Sequence, residues 1–429
     1  MDLFRHQDGR LWCEDVPLDS IAEAVGTPAY VYSASTIRHH VTAIRDAFSS
    51  LDPLVCYAVK ANSNLALLKL LAEAGTGFDI VSQGELARVA AVGASFDKVV
   101  FSGVGKSEAE MRQGLEAGLL MFNIESEDEL DVLAAVAKSV GRVGGVAIRV
   151  NPDVDPKTHR YITTGKKETK FGVDFERGTA LARAAAANPH LELRGMQCHI
   201  GSQITTVEPF QRAVERTAEL AVSLREDVPT LRWLNMGGGY GIYYQYKRVP
   251  LMSEYADAVA PIIERTGLRL VMEPGRLIVG NAGVLLTRVM FNKSSGERKF
   301  VIVDAGMNDL LRPSLYEGYH RIWPASGEPP PPLGEESSHP PVDVVGPVCE
   351  SGDFLAKERP LPPVGRGDLL AVMSVGAYAA SMASNYNARC RAPEVLVQDD
   401  QFRVVRVRET LDDLVRYDRP DAAWVRAGD

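Results

Sequence analysis

Four short stretches place reactive side chains directly after apolar runs. Lys60 follows Leu54-Val55-Cys56-Tyr57-Ala58-Val59, His199 follows Met196-Gln197-Cys198, and Gly237, Gly238 and Gly239 follow Leu234-Asn235-Met236. Glu273 opens EPGR (273–276) after a fourth run. A lysine amine held in a dry pocket can attack a carbonyl carbon. Adjacent glycines expose backbone N–H groups to a phosphate. Each stretch alone has a plainer alternative: a solvated lysine, a structural histidine, a tight turn, a surface ion pair. Four together argue for one shared site. Two motifs are rejected: SGVGKS (102–107) would need a glycine where Val100 stands, and MGGGYG (236–241) lacks the dinucleotide spacing.

Such residues need rigid elements behind them. Short apolar runs recur at 54–60, 77–82, 98–103, 119–123, 145–151, 193–199, 231–237 and 268–273, with helical patterns between them such as 83–93, 126–140 and 208–227. Ser126 and Glu129 have the spacing of a reciprocal capping box. Strands alternating with helices predict a parallel sheet, and eight strands are the number that closes a (β/α)8 barrel. An open doubly wound sheet fits the same periodicity. In a barrel, the C-terminal strand ends form the active face, which is where Lys60, His199, the glycines and Glu273 fall.

Beyond residue 276 the runs 282–291, 298–306, 342–346, 367–374 and 401–409 are strand-like and lack long helices between them. The expected architecture is an α/β barrel over 36–276 and a mainly β domain over 277–429 that also takes residues 1–35. Residues 324–341, rich in Pro, Gly, Ser and Glu, predict a surface loop.

The chain has 429 residues, 45% hydrophobic and 24% charged, with net charge −9. That balance suits a globular protein and favours neither nucleic acid nor an anionic membrane. Five widely spaced cysteines fit a reducing compartment better than a disulfide framework. No signal-peptide pattern and no run of about 18 apolar residues occurs, so the expectation is a cytoplasmic protein.

These stretches, with FDIVSQGEL (78–86), THRYITTGKKETKFG (158–172), HIGSQ (199–203), DAGMNDLLRPSLYEGYH (304–320), CESGD (349–353) and GAY (376–378), resemble the barrel-type, alanine racemase-like pyridoxal phosphate decarboxylases. TGKKETKFG, MNDLLRPSLYEGYH and CESGD are similar to the diaminopimelate branch of that family. The loop at 324–341 looks longer than is usual there.

The resemblance implies the cofactor pyridoxal 5'-phosphate and a role for each matching residue. Lys60 is the lysine that condenses with the cofactor aldehyde, and a pocket that disfavours charge would lower its pKa. Glu273 faces the pyridine nitrogen, His199 stacks on the ring, and Asp79 and Ser202 line the pocket. Gly237, Gly238, Gly239, Gly275, Arg276 and Tyr378 hold the phosphate. The implied substrate is meso-2,6-diaminopimelate, converted to L-lysine and CO2 in the last step of lysine biosynthesis. Arg276, Arg312, Tyr316 and Tyr378 contact it, the arginines and Tyr316 at carboxylates, and Glu350 pairs with the distal ammonium. Cys349 is the implied general acid. Cys349 and Glu350 are expected to reach the active site of a second subunit, which implies a homodimer. His159, Tyr161 and Lys170 sit in a loop expected to cover the site. Decarboxylases of ornithine, lysine or arginine, racemases on the same barrel, and an inactive vitamin B6 carrier are the competing readings. No metal is implied.

Overall fold

All eight apolar runs form parallel strands: β1 (Leu54–Ala58), β2 (Gly77–Ile80), β3 (Val99–Phe101), β4 (Met121–Ile124), β5 (Gly144–Arg149), β6 (Leu191–Gln197), β7 (Trp233–Asn235) and β8 (Arg269–Met272). They pair in chain order, and β8 pairs back onto β1 to close a barrel, which excludes the open sheet. This computed structural model describes residues 3–155, 170–245, 248–332, 335 and 337–425. His159 and Tyr161 lie outside the described residues.

Period-two alternation sorts the strand residues. Cys56, Val100, Met121, Ala147, Trp233 and Val271 form a small core of their own. Their chain neighbours Tyr57, Phe101, Phe122, Ile148, Leu234 and Leu270 join the large core, which also contains the helices' apolar faces. Successive side chains of a strand point to opposite faces, so the small core fills the barrel interior. Two residues further along, the next inward layer is polar on seven of the eight strands, with Asp79, Ser102, Asn123, Arg149, Gln197, Asn235 and Glu273, and only β1 supplies an apolar residue, Ala58. All seven are buried. Buried polar groups must find partners or lose stability, and their pairing builds the site described below.

Helices Gln83–Ala91, Glu127–Val140 and Glu208–Arg225 cover the barrel where the sequence periodicity expects them. The capping box at Ser126 is only half formed. Ser126 Oγ accepts from the Glu129 N–H, but the Glu129 carboxylate instead accepts from the Glu125 N–H and from the Lys106 ammonium at 2.5 Å. Lys106, the lysine of the rejected SGVGKS motif, is thereby held in a buried ion pair.

Strands from both ends of the chain build the second sheet. Ala29–Ser33 lies between Gly283–Ser295 (antiparallel) and Glu394–Gln398 (parallel). Strands Arg298–Val303, Ile322–Pro324, Pro341–Val345, Phe354–Pro360, Leu369–Val372 and Gln401–Arg406 complete it. The α/β barrel with a mainly β addition is therefore the architecture found. Among the described residues no helix is long and apolar enough to cross a membrane.

Candidate active site

Beyond Ala58 a single 3-10 turn, Val59–Ala61, carries Lys60. The turn is anchored from the second sheet: the Tyr378 N–H donates to the Ala61 carbonyl at 2.8 Å, and the Asn62 amide to the Gly376 carbonyl at 3.1 Å. Those bonds also bring Tyr378 to the barrel mouth. The Lys60 side chain is 38% accessible and lines a cavity of about 510 Å³. Its ammonium lies 2.6 Å from Asp79 Oδ2. Burial opposes the charge, but Asp79, Tyr378 and Glu273 outweigh it and hold the lysine above its ordinary range. The expected lowering of the Lys60 pKa is corrected: a carboxylate at contact distance overrides desolvation. Asp79 is fully buried and acts from behind Lys60 rather than lining the cavity.

Glu273 follows β8. Its Oε1 accepts from the Asn235 amide at 2.6 Å and the Asn123 amide at 3.0 Å, and Oε2 from the Gln197 amide at 3.4 Å. Burial and the nearby Asp79 push its carboxyl up to about 7, against the opposing pull of Lys60, Asn235 and Arg149. His199 Nδ1 accepts from the Gly238 N–H at 3.1 Å, which leaves the proton of the neutral ring on Nε2. Burial, Arg149 and Lys60 hold the imidazole well below its ordinary range. It is a neutral, fixed ring at the cavity wall.

The glycine turn brings backbone against backbone. A Cβ at Gly238 would lie 2.1 Å from the Glu273 carbonyl oxygen, and one at Gly239, where φ is +104°, 2.2 Å from the Gly201 carbonyl oxygen. Gly239, Gly275 and Ser202 line the cavity, with Gly237 and Gly238 packed behind. Arg276, the first residue of a short helix after Gly275, is buried. Its Nη1 donates to the Tyr244 hydroxyl at 2.6 Å and its Nη2 to Ser202 Oγ at 3.1 Å. Its Nε has no protein partner among the described residues.

Arg312 reaches the same cavity from the second sheet's side, on helix Arg312–Tyr316. Its Nη1 donates to His320 Nε2 at 2.8 Å, and His320 Nδ1 donates to the Met373 carbonyl at 2.8 Å. Burial and Arg312 keep His320 neutral, as this pair of bonds requires. The Arg312 guanidinium also lies 4.6 Å from the Tyr244 ring centre. Neither Arg276 nor Arg312 has a carboxylate partner among the described residues. Two buried guanidiniums without a counter-charge make the cavity a receptor for anions. Tyr316 and Tyr378 complete its wall.

Cys349 and Glu350 are not brought to this cavity. Both are exposed; the Cys349 N–H donates to Asn387 Oδ1 at 2.8 Å, and Glu350 accepts from the Tyr386 hydroxyl at 3.4 Å. Of the expected covering loop, Lys170 lies over the Phe171 ring at 5.2 Å, and Phe171 lines the cavity. Sequence reasoning missed Ser102, Asn123, Gln197, Asn235, Tyr244 and His320. For the first four a signal existed: each stands two residues beyond an inward-facing position of its strand.

A closed (β/α)8 barrel with a lysine after its first strand, a buried carboxylate after its last and a glycine turn with a cationic rim defines a class, the barrel-type pyridoxal-dependent decarboxylases. Residues 34–280 match the pyridoxal-binding domain of pyridoxal-dependent decarboxylases. The chain is 50% identical over 402 residues to a diaminopimelate decarboxylase of Neisseria meningitidis serogroup A, covering 94% of this chain and 97% of that one. Its fold matches the diaminopimelate decarboxylase of Helicobacter pylori complexed with L-lysine, with TM-score 0.88, 40% identity and coverage of 93% and 98%. It also matches that of M. jannaschii in co-complex with L-lysine, with TM-score 0.90, 37% identity and coverage of 98% of each chain. This chain belongs to the diaminopimelate decarboxylase family.

The residues present fit pyridoxal phosphate. The cavity offers an amine at Lys60, a buried carboxylate at Glu273, a backbone cradle that only glycine permits and an arginine with an unused donor.

Proposed function

We propose that this protein removes one carboxyl group from meso-2,6-diaminopimelate to give L-lysine and CO2, the last step of lysine biosynthesis by that route. The observation that carries the reading is the pair of buried guanidiniums of Arg276 and Arg312, without a carboxylate partner among the described residues, in the cavity that holds Lys60. A mono-carboxylate diamine such as ornithine leaves less negative charge for them than a dicarboxylate does.

Lys60 would hold pyridoxal phosphate covalently, Glu273 would face its ring nitrogen and His199 its ring. Gly239, Gly275 and Tyr378 would hold its phosphate; Gly237 and Gly238, expected there too, instead spend their N–H groups on Asn235 Oδ1 at 2.9 Å and His199 Nδ1 at 3.1 Å and shape the turn from behind. When bound, the cofactor supplies an electron sink for the pair left by departing CO2. The chain's own residues do the rest. Asp79 takes the charge of the Lys60 ammonium and is the nearest base for its proton. Arg276, Arg312 and Tyr316 orient the substrate by its carboxylates, with two-pronged donors suited to that planar group. Phe171 helps exclude water from the cavity.

Cys349 and Glu350 lie outside the cavity of their own chain, which fits a homodimer in which each segment serves the partner's site. Cys349 would then deliver the proton that replaces CO2, and Glu350 would select the distal ammonium. Lys170, whose ammonium lies over the Phe171 ring, would help hold that ring at the cavity. All five cysteines are unpaired, which supports a reducing, cytoplasmic setting.

The test is CO2 release by purified protein with pyridoxal phosphate on meso-diaminopimelate, ornithine, lysine and arginine. Release from diaminopimelate alone, with L-lysine as product, is expected; release from a simple diamino acid would overturn the substrate assignment.

A further inference from the structure

A continuous hydrogen-bonded chain crosses the barrel mouth. Lys60 Nζ donates to Asp79 Oδ2 at 2.6 Å, and Ser102 Oγ donates to Asp79 Oδ1 at 2.6 Å. Asn123 Nδ2 donates both to Ser102 Oγ at 2.8 Å and to Glu273 Oε1 at 3.0 Å. The four residues from Asp79 to Glu273 are buried. Ser102 has one hydroxyl proton, committed to Asp79, and Asn123 has two amide protons, both committed. The polarity of the chain is thereby set: its donors end on the two carboxylates. Neither Ser102 nor Asn123 lines the cavity, and the decarboxylation described above uses neither.

We infer that Ser102 and Asn123 are positioning residues that join Glu273 to the Lys60–Asp79 pair as one electrostatic unit and confine the exchangeable proton of Glu273 to Oε2. Oε1 receives two amide donors, from Asn123 and from Asn235 at 2.6 Å, so a proton placed there would face both. Among the described residues Oε2 receives only the long Gln197 contact at 3.4 Å. The consequence reaches the reaction. A carboxylate that faces a pyridine nitrogen works only while its charge is available at the right oxygen, and the amide pair on Oε1 leaves that task to Oε2. The inference rests on the proposed function only for the identity of the group that Oε2 meets. The other titratable groups facing Glu273 are Arg149, the buried thiols Cys56 and Cys198, and the Tyr240 phenol. They are unchanged in every variant below.

The experiment is a carbon-13 NMR titration of the glutamate carboxyls in the whole protein, with and without cofactor, the Glu273 signal being assigned by its loss in Glu273→Gln. Asn123→Ala removes a donor from the carboxylate and raises the Glu273 midpoint by about one pH unit. Ser102→Ala removes no contact of Glu273, yet raises the midpoint in the same direction because Asn123 loses its anchor. The double variant moves no further than Asn123→Ala alone, and Ser102→Thr, which keeps the hydroxyl, restores the wild-type value. An unmoved midpoint in Ser102→Ala, or a double variant equal to the sum of the two singles, overturns the inference. Ser102→Ala deletes one oxygen atom, so this arm stands even where Asn123→Ala does not fold. In the loaded protein the pH midpoint of the cofactor's visible band follows the same order. A wild-type protein that shows no such band defeats the functional reading instead, while the carboxyl titration still decides the relay.

Discussion

The Tyr244 hydroxyl accepts from Arg276 Nη1 at 2.6 Å while the Arg312 guanidinium lies 4.6 Å from the centre of the same ring. One aromatic side chain thus aligns two buried like charges, its oxygen serving one and its π face the other. Tyr244→Phe keeps the ring and leaves an Arg276 donor unpaired. KM for diaminopimelate is expected to rise roughly five- to tenfold with kcat within about twofold. Steady-state kinetics that show kcat falling at constant KM would count against this role.

Arg312→Lys keeps the positive charge and loses the planar fork. It also loses the bond to His320 Nε2 as that bond is now made. KM is expected to rise about 10- to 100-fold, and added salt is expected to weaken substrate binding further. Substrate titration of the loaded variant at two ionic strengths checks both.

Lys60→Ala is expected to abolish turnover together with the absorbance of covalently held cofactor. Equilibrium dialysis should still detect bound pyridoxal phosphate, because the phosphate contacts are untouched. Retained decarboxylation in this variant would falsify the assignment of Lys60.

Glu273 gives the cofactor-free protein a pH dependence of defined sign. Its carboxyl ionises at about 7 in the folded chain against an ordinary value of 4.5. Between those values the folded state binds more protons than the unfolded state, so this group's contribution to stability rises as pH falls from 7 towards 4.5. Above pH 7 the penalty for burying the charge is fully present. Glu273→Gln should therefore stabilise the cofactor-free protein at pH 8 by about 1–3 kcal/mol, with the gain fading towards pH 4.5. Urea unfolding at pH 8 and pH 5 checks it, and equal effects at both would contradict the buried-charge account.

The homodimer reading predicts complementation. Lys60→Ala and Cys349→Ala protomers are each expected to be inactive. Mixed and re-associated, half of the dimers carry one intact site, and activity should return to about a quarter of wild type. No recovery, with mixed dimers verified by sedimentation and affinity tags, would place Cys349 in the site of its own chain.

Much of this could be read along the chain. The eight runs at 54–60 through 268–273 became β1 to β8 because apolar stretches of that length, alternating with amphipathic ones, can bury both faces only in a parallel sheet covered by helices. Lys60, His199 and Glu273 announced themselves by standing at strand ends. Ser102, just after its strand, and Asn123, inside its strand, carried a weaker signal: only their spacing of two from the inward-facing Val100 and Met121 points them into the barrel. Tyr244 was hidden beside the glycine turn, and His320 inside a motif that resembled the family for other reasons. The apolar run before Lys60 points to desolvation and a lowered pKa, whereas the deciding carboxylate, Asp79, sits on the next strand and reverses the sign.

Strand periodicity and helix alternation are local properties of the chain, so they mark the eight strands and the side chains at their ends, while leaving a closed barrel and an open sheet equally possible. Closure of the barrel and the state of those side chains belong to the three-dimensional fold. Whether Lys60 is charged, which oxygen of Glu273 is free, and whether two arginines stand uncompensated all depend on groups far apart in the chain. Asn123 and Glu273, 150 residues apart, meet at 3.0 Å only because the barrel closes. Electrostatic energies follow distance through space, and distance through space is what a linear order of residues leaves open.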